Sequence, residues 1–216
     1  MTARPLLPPR GPGRRLPGKA ALKLLPPPPS SSKDIAWWAM ALFCANEAAF
    51  FAYLIMSYFY LGLRSPDWPP PGIEKPELKL PLIMTATLVL SSVAVWWGEH
   101  GIKRGRRGQL AAGLAAGIAL GLTFLALQYR EYHEKLRHFL PQTHSYPSIF
   151  YTTTGFHGAH VAFGLLMLGF VFIRALLGHF DGEEHTAVGT TSLYWHFVDC
   201  VWIAIVLSIY VSPRFY

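Results

Sequence analysis

Charged residues are scarce in this chain of 216 amino acids. Asp, Glu, Lys and Arg together make up 14% of it, whereas a soluble domain of this size usually carries about a quarter. Hydrophobic residues account for 52% and aromatic residues for 14%, and many aromatics cluster at the ends of apolar runs, as in the interfacial belts of membrane proteins. The composition excludes an ordinary soluble domain and predicts an integral membrane protein.

Cysteine is also rare. The chain has two, Cys44 and Cys200, and both lie within apolar segments, so we expect no disulfide framework. The net charge of +7 does not indicate a nucleic-acid partner, because the basic residues lie in the amino-terminal region and at the ends of the apolar segments. We therefore expect no nucleic acid among the partners.

Residues 1–34 are rich in proline, glycine and basic residues. Prolines prevent a continuous helix, so we expect an extended cytoplasmic tail. A secretory signal is not expected here, because its apolar core would have to be AALKLL, which is short and interrupted by lysine. The basic residues could bind anionic lipid headgroups, but a solvated tail whose charge only fixes topology is the simpler interpretation.

Five apolar segments follow, each near the roughly 20 residues that a helix needs to cross the hydrocarbon core. Because lipid offers no hydrogen bonds to the backbone, each segment is expected to be a helix. We therefore predict that residues 35–216 form an all-α integral membrane bundle of five transmembrane helices. The segments span residues 35–63, 80–99, 110–129, 149–172 and 193–211.

The distribution of lysine and arginine predicts the orientation of the bundle, because cytoplasmic loops are enriched in these residues. With the amino terminus inside, the cytoplasmic side carries twelve of them: seven in the tail, four in the loop KRGRR, and Arg174. The opposite side carries seven. We expect a cytoplasmic amino terminus and a periplasmic carboxyl terminus.

Small residues repeat within the third segment. Gly113, Gly117 and Gly121 are spaced four residues apart in GLAAGIALG. Small residues at this interval let helix backbones approach closely, so the pattern predicts tight helix pairing in lipid. No inverted repeat or broken helix of the transporter kind is visible in the sequence.

A carboxyl lies well inside the first apolar segment. Ionisable groups within a spanning helix are costly and usually functional, and Glu47 lies in FCANEAAFFAYLIMSYFY. It could exchange protons or contact a lipid headgroup. Alternatively, it is kept protonated or hydrogen-bonded to a neighbouring helix for packing. The residue type alone does not separate these interpretations.

Two histidines occur one helical turn apart in TTGFHGAHVAFG. His157 and His160 share a helix face, a spacing compatible with joint metal binding, but a zinc site needs at least three protein ligands. A bis-histidine haem would need a partner on a facing helix, for which His196 is the candidate. We favour hydrogen bonding to other helices or to lipid over metal or haem ligation.

The last segment contains YWHFVDCVWIA. Trp195, Asp199 and Trp202 fall at i, i+4 and i+7 and line one stripe of the helix, while His196 and Asp199 could hydrogen-bond to each other. Together with His157, these residues predict an intramembrane polar network that holds helices together. A role of Asp199 in proton movement is the alternative interpretation, but the sequence shows no relay partner for it.

Arg174 lies at the end of the fourth segment, fourteen residues after His160 and about 21 Å away along a helix. The two side chains cannot hold one small ion. Each could contact a different lipid, or a different portion of a long one. A guanidinium at headgroup depth suits a lipid phosphate.

Four motifs together resemble signature stretches of subunit III of cytochrome c oxidase, a member of the haem–copper respiratory oxidases. The motifs are NEAAFFAYLIMSYFY, GLTFLALQYREY, TTGFHGAHVAFG and YWHFVDCVWIAIVLSIY, and the resemblance covers about residues 35–216. The usual family member has seven spans, so the resemblance implies that two amino-terminal helices are missing here. Leu193 also stands where the family often has another tryptophan.

The resemblance implies an accessory subunit of an oxygen-reducing, proton-translocating complex of aerobic respiration, without catalytic residues, metal or cofactor of its own. Haem and copper would belong to partner subunits I and II, and phospholipid would bind in a V-shaped cleft beside subunit I. Glu47 matches the family's buried, carbodiimide-reactive glutamate, and His160 and Arg174 match positions that contact phospholipid. The implied role is to stabilise subunit I during turnover and to support proton uptake.

Other functions stay open at this stage. The same type of subunit in a quinol oxidase or nitric oxide reductase complex would carry the same motifs, because nothing in the chain touches the electron donor. An independent membrane haem or metal enzyme would be built on His133, His144, His157, His160 and His196. A transporter would support substrate flux in liposomes by itself. We expect a cytochrome c oxidase subunit in a bacterial inner membrane.

Overall fold

The described part of the chain in this computed structural model is helical and comprises residues 32–70, 77–137, 140–180 and 185–215. Within these residues all five expected helices form, and each is long and apolar enough to cross a membrane. The prediction of an all-α bundle of five such helices is therefore confirmed. The helices are α1 Ser32–Arg64, α2 Lys79–Lys103, α3 Arg107–Lys135, α4 Ser145–Leu176 and α5 Thr186–Ile205.

The helices extend beyond the apolar segments from which they were predicted. α1 begins at Ser32, so the last three residues of the predicted tail are helical, while residues 1–31 lie outside the described residues. α5 begins at Thr186 instead of near residue 193. A helix satisfies its own backbone groups turn by turn, so it continues past the apolar stretch into residues that hydropathy assigns to a loop.

α2 and α3 form a tight antiparallel pair. They are joined by residues 104–106 alone, where Gly105 has a φ of 73°, a left-handed conformation that glycine adopts without steric cost. A Cβ added at Gly113 would lie 2.5 Å from the carbonyl oxygen of Ala94, and one at Gly117 would lie 2.6 Å from a methyl group of Val95. The absence of side chains at these positions lets the two backbones touch.

α5 is the central helix of the bundle. Half of the residues in its most apolar stretch are buried, against 11% in the corresponding stretch of α1. The helix packs against α1, α2 and α4. The helix continues as a π-helical segment, Val206–Val211, and a 3₁₀ turn, Ser212–Arg214. Several of the largest fully buried side chains belong to this region: Tyr194, Trp195, Trp202 and Tyr210.

Candidate functional site

Glu47 and His160 form a pair between α1 and α4. Glu47 Oε2 lies 3.0 Å from His160 Nε2, and the two side chains are 18% and 16% exposed. They are 113 residues apart in the sequence, and the structure brings them together because α1 packs against α4. The pair is the polar centre of an otherwise apolar helix contact.

The hydrogen bonds of His160 place one proton on Nδ1 and leave another shared with Glu47. Its Nδ1 is 2.7 Å from the backbone oxygen of Phe156, and a carbonyl oxygen can only accept, so Nδ1 carries a hydrogen. One proton therefore lies between Nε2 and the Glu47 carboxyl, either on the carboxyl as a neutral pair or on the imidazole as an ion pair. The arrangement can hold a proton in either place without moving a heavy atom.

Aromatic rings surround the pair. The ring of Phe51 lies edge-on to His160 at 5.0 Å between centroids, and the Tyr194 hydroxyl donates to the backbone oxygen of His160 at 3.1 Å. Asn46 Nδ2 lies 3.5 Å from the other carboxyl oxygen of Glu47 and is on the exposed side of α1. Tyr194 and Phe51 thus hold His160 from the interior of the bundle, while Glu47 is accessible from the outer surface of α1.

Arg174 lies apart from this pair, near the far end of α4. Its guanidinium packs over the rings of Phe180 at 4.9 Å and Phe170 at 5.8 Å. No carboxylate among the described residues forms an ion pair with it. The structure does not bring Arg174 to His160, in agreement with their spacing in the sequence.

His157 behaves differently from His160. It is fully buried and stacks on the indole of Trp202 at 5.0 Å and 27°, with Phe124 edge-on at 5.7 Å. Neither ring nitrogen has a hydrogen-bond partner among the described residues. The expected hydrogen bonding of His157 is therefore replaced by ring stacking, because its face of α4 is filled by aromatic side chains.

The two tryptophans of the predicted stripe each donate a hydrogen bond to α2. Trp195 Nε1 donates to Ser91 Oγ at 3.0 Å, and Trp202 Nε1 donates to Thr85 Oγ1 at 3.0 Å. Buried indole N–H groups usually find such a partner. The acceptors are small hydroxyl residues within an apolar helix, which no sequence motif indicated.

His196 and Asp199 are linked through a third residue. The direct bond that their spacing allows is absent among the described contacts; instead, Ser92 Oγ lies 2.8 Å from His196 Nδ1 and its hydroxyl donates to Asp199 Oδ2. The bridge again comes from α2. A residue of the facing helix thus occupies the position between two side chains that are neighbours on α5.

A further polar cluster was missed by the sequence reasoning. Glu131 is buried, forms an ion pair with Lys135 at 2.7 Å and accepts a hydrogen bond from the Tyr210 hydroxyl. Lys135 Nζ also lies 4.2 Å from the ring centre of Phe150. The spacing of Glu131 and Lys135, four residues apart on one helix face, was the available signal.

The histidines of the described part of the chain do not gather into a metal site. Within the described residues, no group of three or more His, Cys, Asp or Glu side chains could hold a metal ion. His133 and His144 are exposed, whereas His157 faces Trp202 and His160 faces Glu47. The buried polar groups instead connect one helix to another. This arrangement defines a helical bundle of the kind found in multi-span membrane proteins.

The family follows from comparison with known proteins. The family model for cytochrome c oxidase subunit III matches residues 31–213. The chain belongs to the cytochrome c oxidase subunit III family, and the resemblance stated from its motifs is confirmed. Membership makes it a subunit type of an oxygen-reducing complex, in which the chemistry belongs to the whole assembly.

Curated relatives carry the same family name. Proteins named cytochrome c oxidase subunit 3 are similar to this chain at 38% identity in Homo sapiens, 39% in Coturnix japonica and 37% in Dugong dugon. Each alignment covers 80% of this chain and 68% of the relative. The shared region therefore includes most of the described bundle.

Proposed function

We propose that this chain is the accessory subunit III of a haem–copper terminal oxidase, in which it binds phospholipid, stabilises subunit I and supports proton uptake. It supplies no catalytic residue or metal ligand; haem and copper belong to partner subunits I and II. The observation that carries the proposal is the Glu47–His160 pair, a partly exposed polar contact at the α1–α4 boundary of an apolar bundle. Family membership supports the assignment to an oxidase.

The surface around the pair suits a lipid. Large apolar side chains are exposed on both helices, among them Phe43 and Tyr53 on α1 and Phe163 on α4. Acyl chains pack favourably against such an apolar surface, whereas a polar lipid group that is buried there needs a hydrogen-bond partner. Glu47 and His160 provide that partner, and Arg174, about 21 Å along α4, provides a cation suited to a lipid phosphate.

The lipid role is tested by replacing His160 and Arg174 on α4 together. The double variant His160→Ala with Arg174→Ala is expected to lower the phospholipid that co-purifies with the complex, measured by quantitative mass spectrometry. The double variant His133→Ala with Arg137→Ala is the matched control, because it removes the same residue types from exposed positions. Equal phospholipid in all three preparations contradicts the assignment of His160 and Arg174.

The proposed location is a bacterial inner membrane, with residues 1–34 as a cytoplasmic tail, residues 35–216 as the membrane domain and the carboxyl terminus in the periplasm. The excess of lysine and arginine in the tail and the α2–α3 turn supports this orientation. In cells, the Gly105→Cys variant should react at this position only with thiol reagents that cross the membrane. The Thr143→Cys variant, in the α3–α4 connection, should react with impermeant reagents, and the reverse pattern contradicts the topology.

The proposed electron donor of the assembly is cytochrome c, supported by the name that the relatives carry. Mild purification of this chain with its partners should give a complex with a haem spectrum that consumes oxygen with reduced cytochrome c. Activity with quinol alone, or with nitric oxide in place of oxygen, assigns the subunit to a different member of the same superfamily. A coloured or metal-bearing isolated chain contradicts the accessory role itself.

A further inference from the structure

A row of polar side chains lies along the contact between α2 and α5. The Ser92 hydroxyl contacts Asp199 Oδ2, and Ser92 Oγ lies 2.8 Å from His196 Nδ1. The other ring nitrogen, Nε2, lies 3.2 Å from Ser192 Oγ. His196 is therefore bonded through both nitrogens, with a serine on each side. This is the geometry of a relay, because an imidazole can accept a proton on one nitrogen and release it from the other.

The row continues to the exposed end of the helix pair. Ser192 and His196 both act electrostatically on the Glu99 carboxyl, and Glu99 Oε1 lies 2.6 Å from Lys103 Nζ. The Lys103 side chain is 46% exposed, whereas Asp199 is buried. Ser92 and Lys103 are eleven residues apart on α2, which corresponds to about 16 Å. The row thus joins the surface beside the α2–α3 turn to a carboxyl deep in the bundle.

Donors and acceptors can be assigned along the row in one direction. When Asp199 is ionised, the Ser92 hydroxyl donates to its Oδ2. When Asp199 is protonated, the direction reverses: the carboxyl donates to Ser92, whose own hydroxyl hydrogen then points to His196 Nδ1. The neutral imidazole donates from Nε2 to Ser192, and Ser192 donates to the Glu99 carboxylate. Every link then has one donor and one acceptor, and the Lys103 ammonium neutralises the carboxylate at the end.

We propose that this row is a proton-exchange path that lets the buried Asp199 bind and release a proton through the Lys103 end. In the outward step, Asp199 passes its proton to Ser92 as Ser92 passes its own to Nδ1 of His196. The imidazole releases the Nε2 proton to Ser192, which passes its own to Glu99. One proton leaves Asp199 and one arrives at Glu99, His196 changes tautomer, and no electron or co-reactant is involved.

The neighbours of His196 and Asp199 agree with a path that opens to the surface at its Lys103 end. Glu99 is the charged group that acts on His196, and Ser92 is the polar partner of Asp199. Neither His196 nor Asp199 forms an ion pair among the described residues. Asp199 Oδ1 has no hydrogen-bond partner among the described residues. The carboxyl therefore exchanges its proton through Oδ2 and Ser92.

Infrared spectroscopy of the purified complex tests the path directly. The difference between wild type and Asp199→Asn isolates the C=O band of the protonated Asp199 carboxyl, and Asp199→Glu, which keeps a carboxyl, should shift this band. On transfer to D2O, the band should shift promptly in the wild type. In Ser92→Ala the band should persist, but its exchange should be slower by a factor of up to about ten. Losing one hydrogen bond of ordinary strength changes a rate by about that factor.

Ser91→Ala is the matched control. Ser91 is the adjacent serine on α2, but its hydroxyl accepts from Trp195 and donates to the backbone oxygen of Leu88, so it lies outside the row. Wild-type exchange in Ser91→Ala with slowed exchange in Ser92→Ala supports the path. Equal exchange rates in the two serine variants overturn it, as does the absence of any carboxylic band assignable to residue 199. None of these readouts depends on lipid content or on the electron donor.

Discussion

The hydroxyl of Tyr210 lies 3.1 and 3.2 Å from the two carboxyl oxygens of Glu131, so the π-helical end of α5 is tied to the last turns of α3. Lys135 contacts the same carboxyl and lies over the Tyr210 ring at 4.9 Å. One carboxylate therefore joins two helices and a partly buried cation. Removing its charge leaves Lys135 without its partner.

Glu131→Gln is expected to destabilise the bundle by about 3 kcal/mol, since breaking a buried ion pair leaves an uncompensated charge. Tyr210→Phe, which removes one hydrogen bond only, should cost about 1 kcal/mol. The free energy of unfolding in mixed micelles measures both. Glu134→Gln is the control, because its pair with Arg130 has the same spacing on α3 but is largely exposed and should change stability by less than about 0.5 kcal/mol.

Gly113→Ala is expected to separate α2 from α3. The added Cβ would lie 2.5 Å from the backbone oxygen of Ala94 and 2.7 Å from the Cα of Gly98, and backbone atoms cannot rotate away as a side chain does. Overpacking of this kind costs about 1–3 kcal/mol. The fraction of folded complex recovered after mild heating measures the loss.

Gly169→Ala serves as the comparison for Gly113→Ala. Nothing lies within 4 Å of a Cβ at Gly169, and alanine is the better helix former by about 1 kcal/mol. We therefore expect unchanged or slightly raised stability. Equal losses in the two variants would show that the α2–α3 contact is looser than the structure has it.

His157→Phe is expected to be tolerated. The ring stacks on Trp202 and its nitrogens have no partner among the described residues, and replacing a polar group by an apolar one of similar shape is nearly neutral. His157→Ala, which leaves a cavity, should cost about 3 kcal/mol. Thermal inactivation of the assembled complex distinguishes the two variants. If phenylalanine is as damaging as alanine, the imidazole nitrogens have a role beyond packing.

Glu47→Gln is expected to leave the haem spectrum of the complex intact but to shorten its activity over repeated turnovers. The amide keeps the size of the side chain but cannot share a proton with His160, so the α1–α4 contact loses its adaptable link. The rate of inactivation during continuous oxygen consumption is the measurement. Asn46→Ala, on the exposed neighbour of Glu47, is the control, and identical inactivation in both variants contradicts a special role for Glu47.

The helices were predictable because the length of each apolar segment and the basic residues at its ends are local properties of the sequence. The glycine pattern in α3 was equally readable, since Gly113 and Gly117 lie on one face by their spacing alone. Both features require only that a residue and its near neighbours be known. The helix ends were less predictable, because a helix continues into polar residues once it has formed.

The partners of the buried polar groups could not be predicted. Ser91, Ser92 and Thr85 accept or donate hydrogen bonds across more than a hundred residues of sequence, and a lone serine or threonine in an apolar helix has no distinguishing pattern. Their roles depend on how α2 is rotated against α5. The sequence indicated no relay partner for Asp199, and its contact with Ser92 on α2 became visible only in the packing of the helices.

α1 is the helix that the bundle holds most lightly, because little of its surface is buried and it packs mainly against α4 and α5. A small outward tilt of α1 would separate Glu47 from His160. The α2–α3 pair and the hydrogen bonds of Trp195 and Trp202 to α2 would stay in place. Within this chain, displacing α1 would therefore break fewer contacts than displacing any other helix, so that a molecule bound between α1 and α4 could be exchanged while the other four helices stay packed.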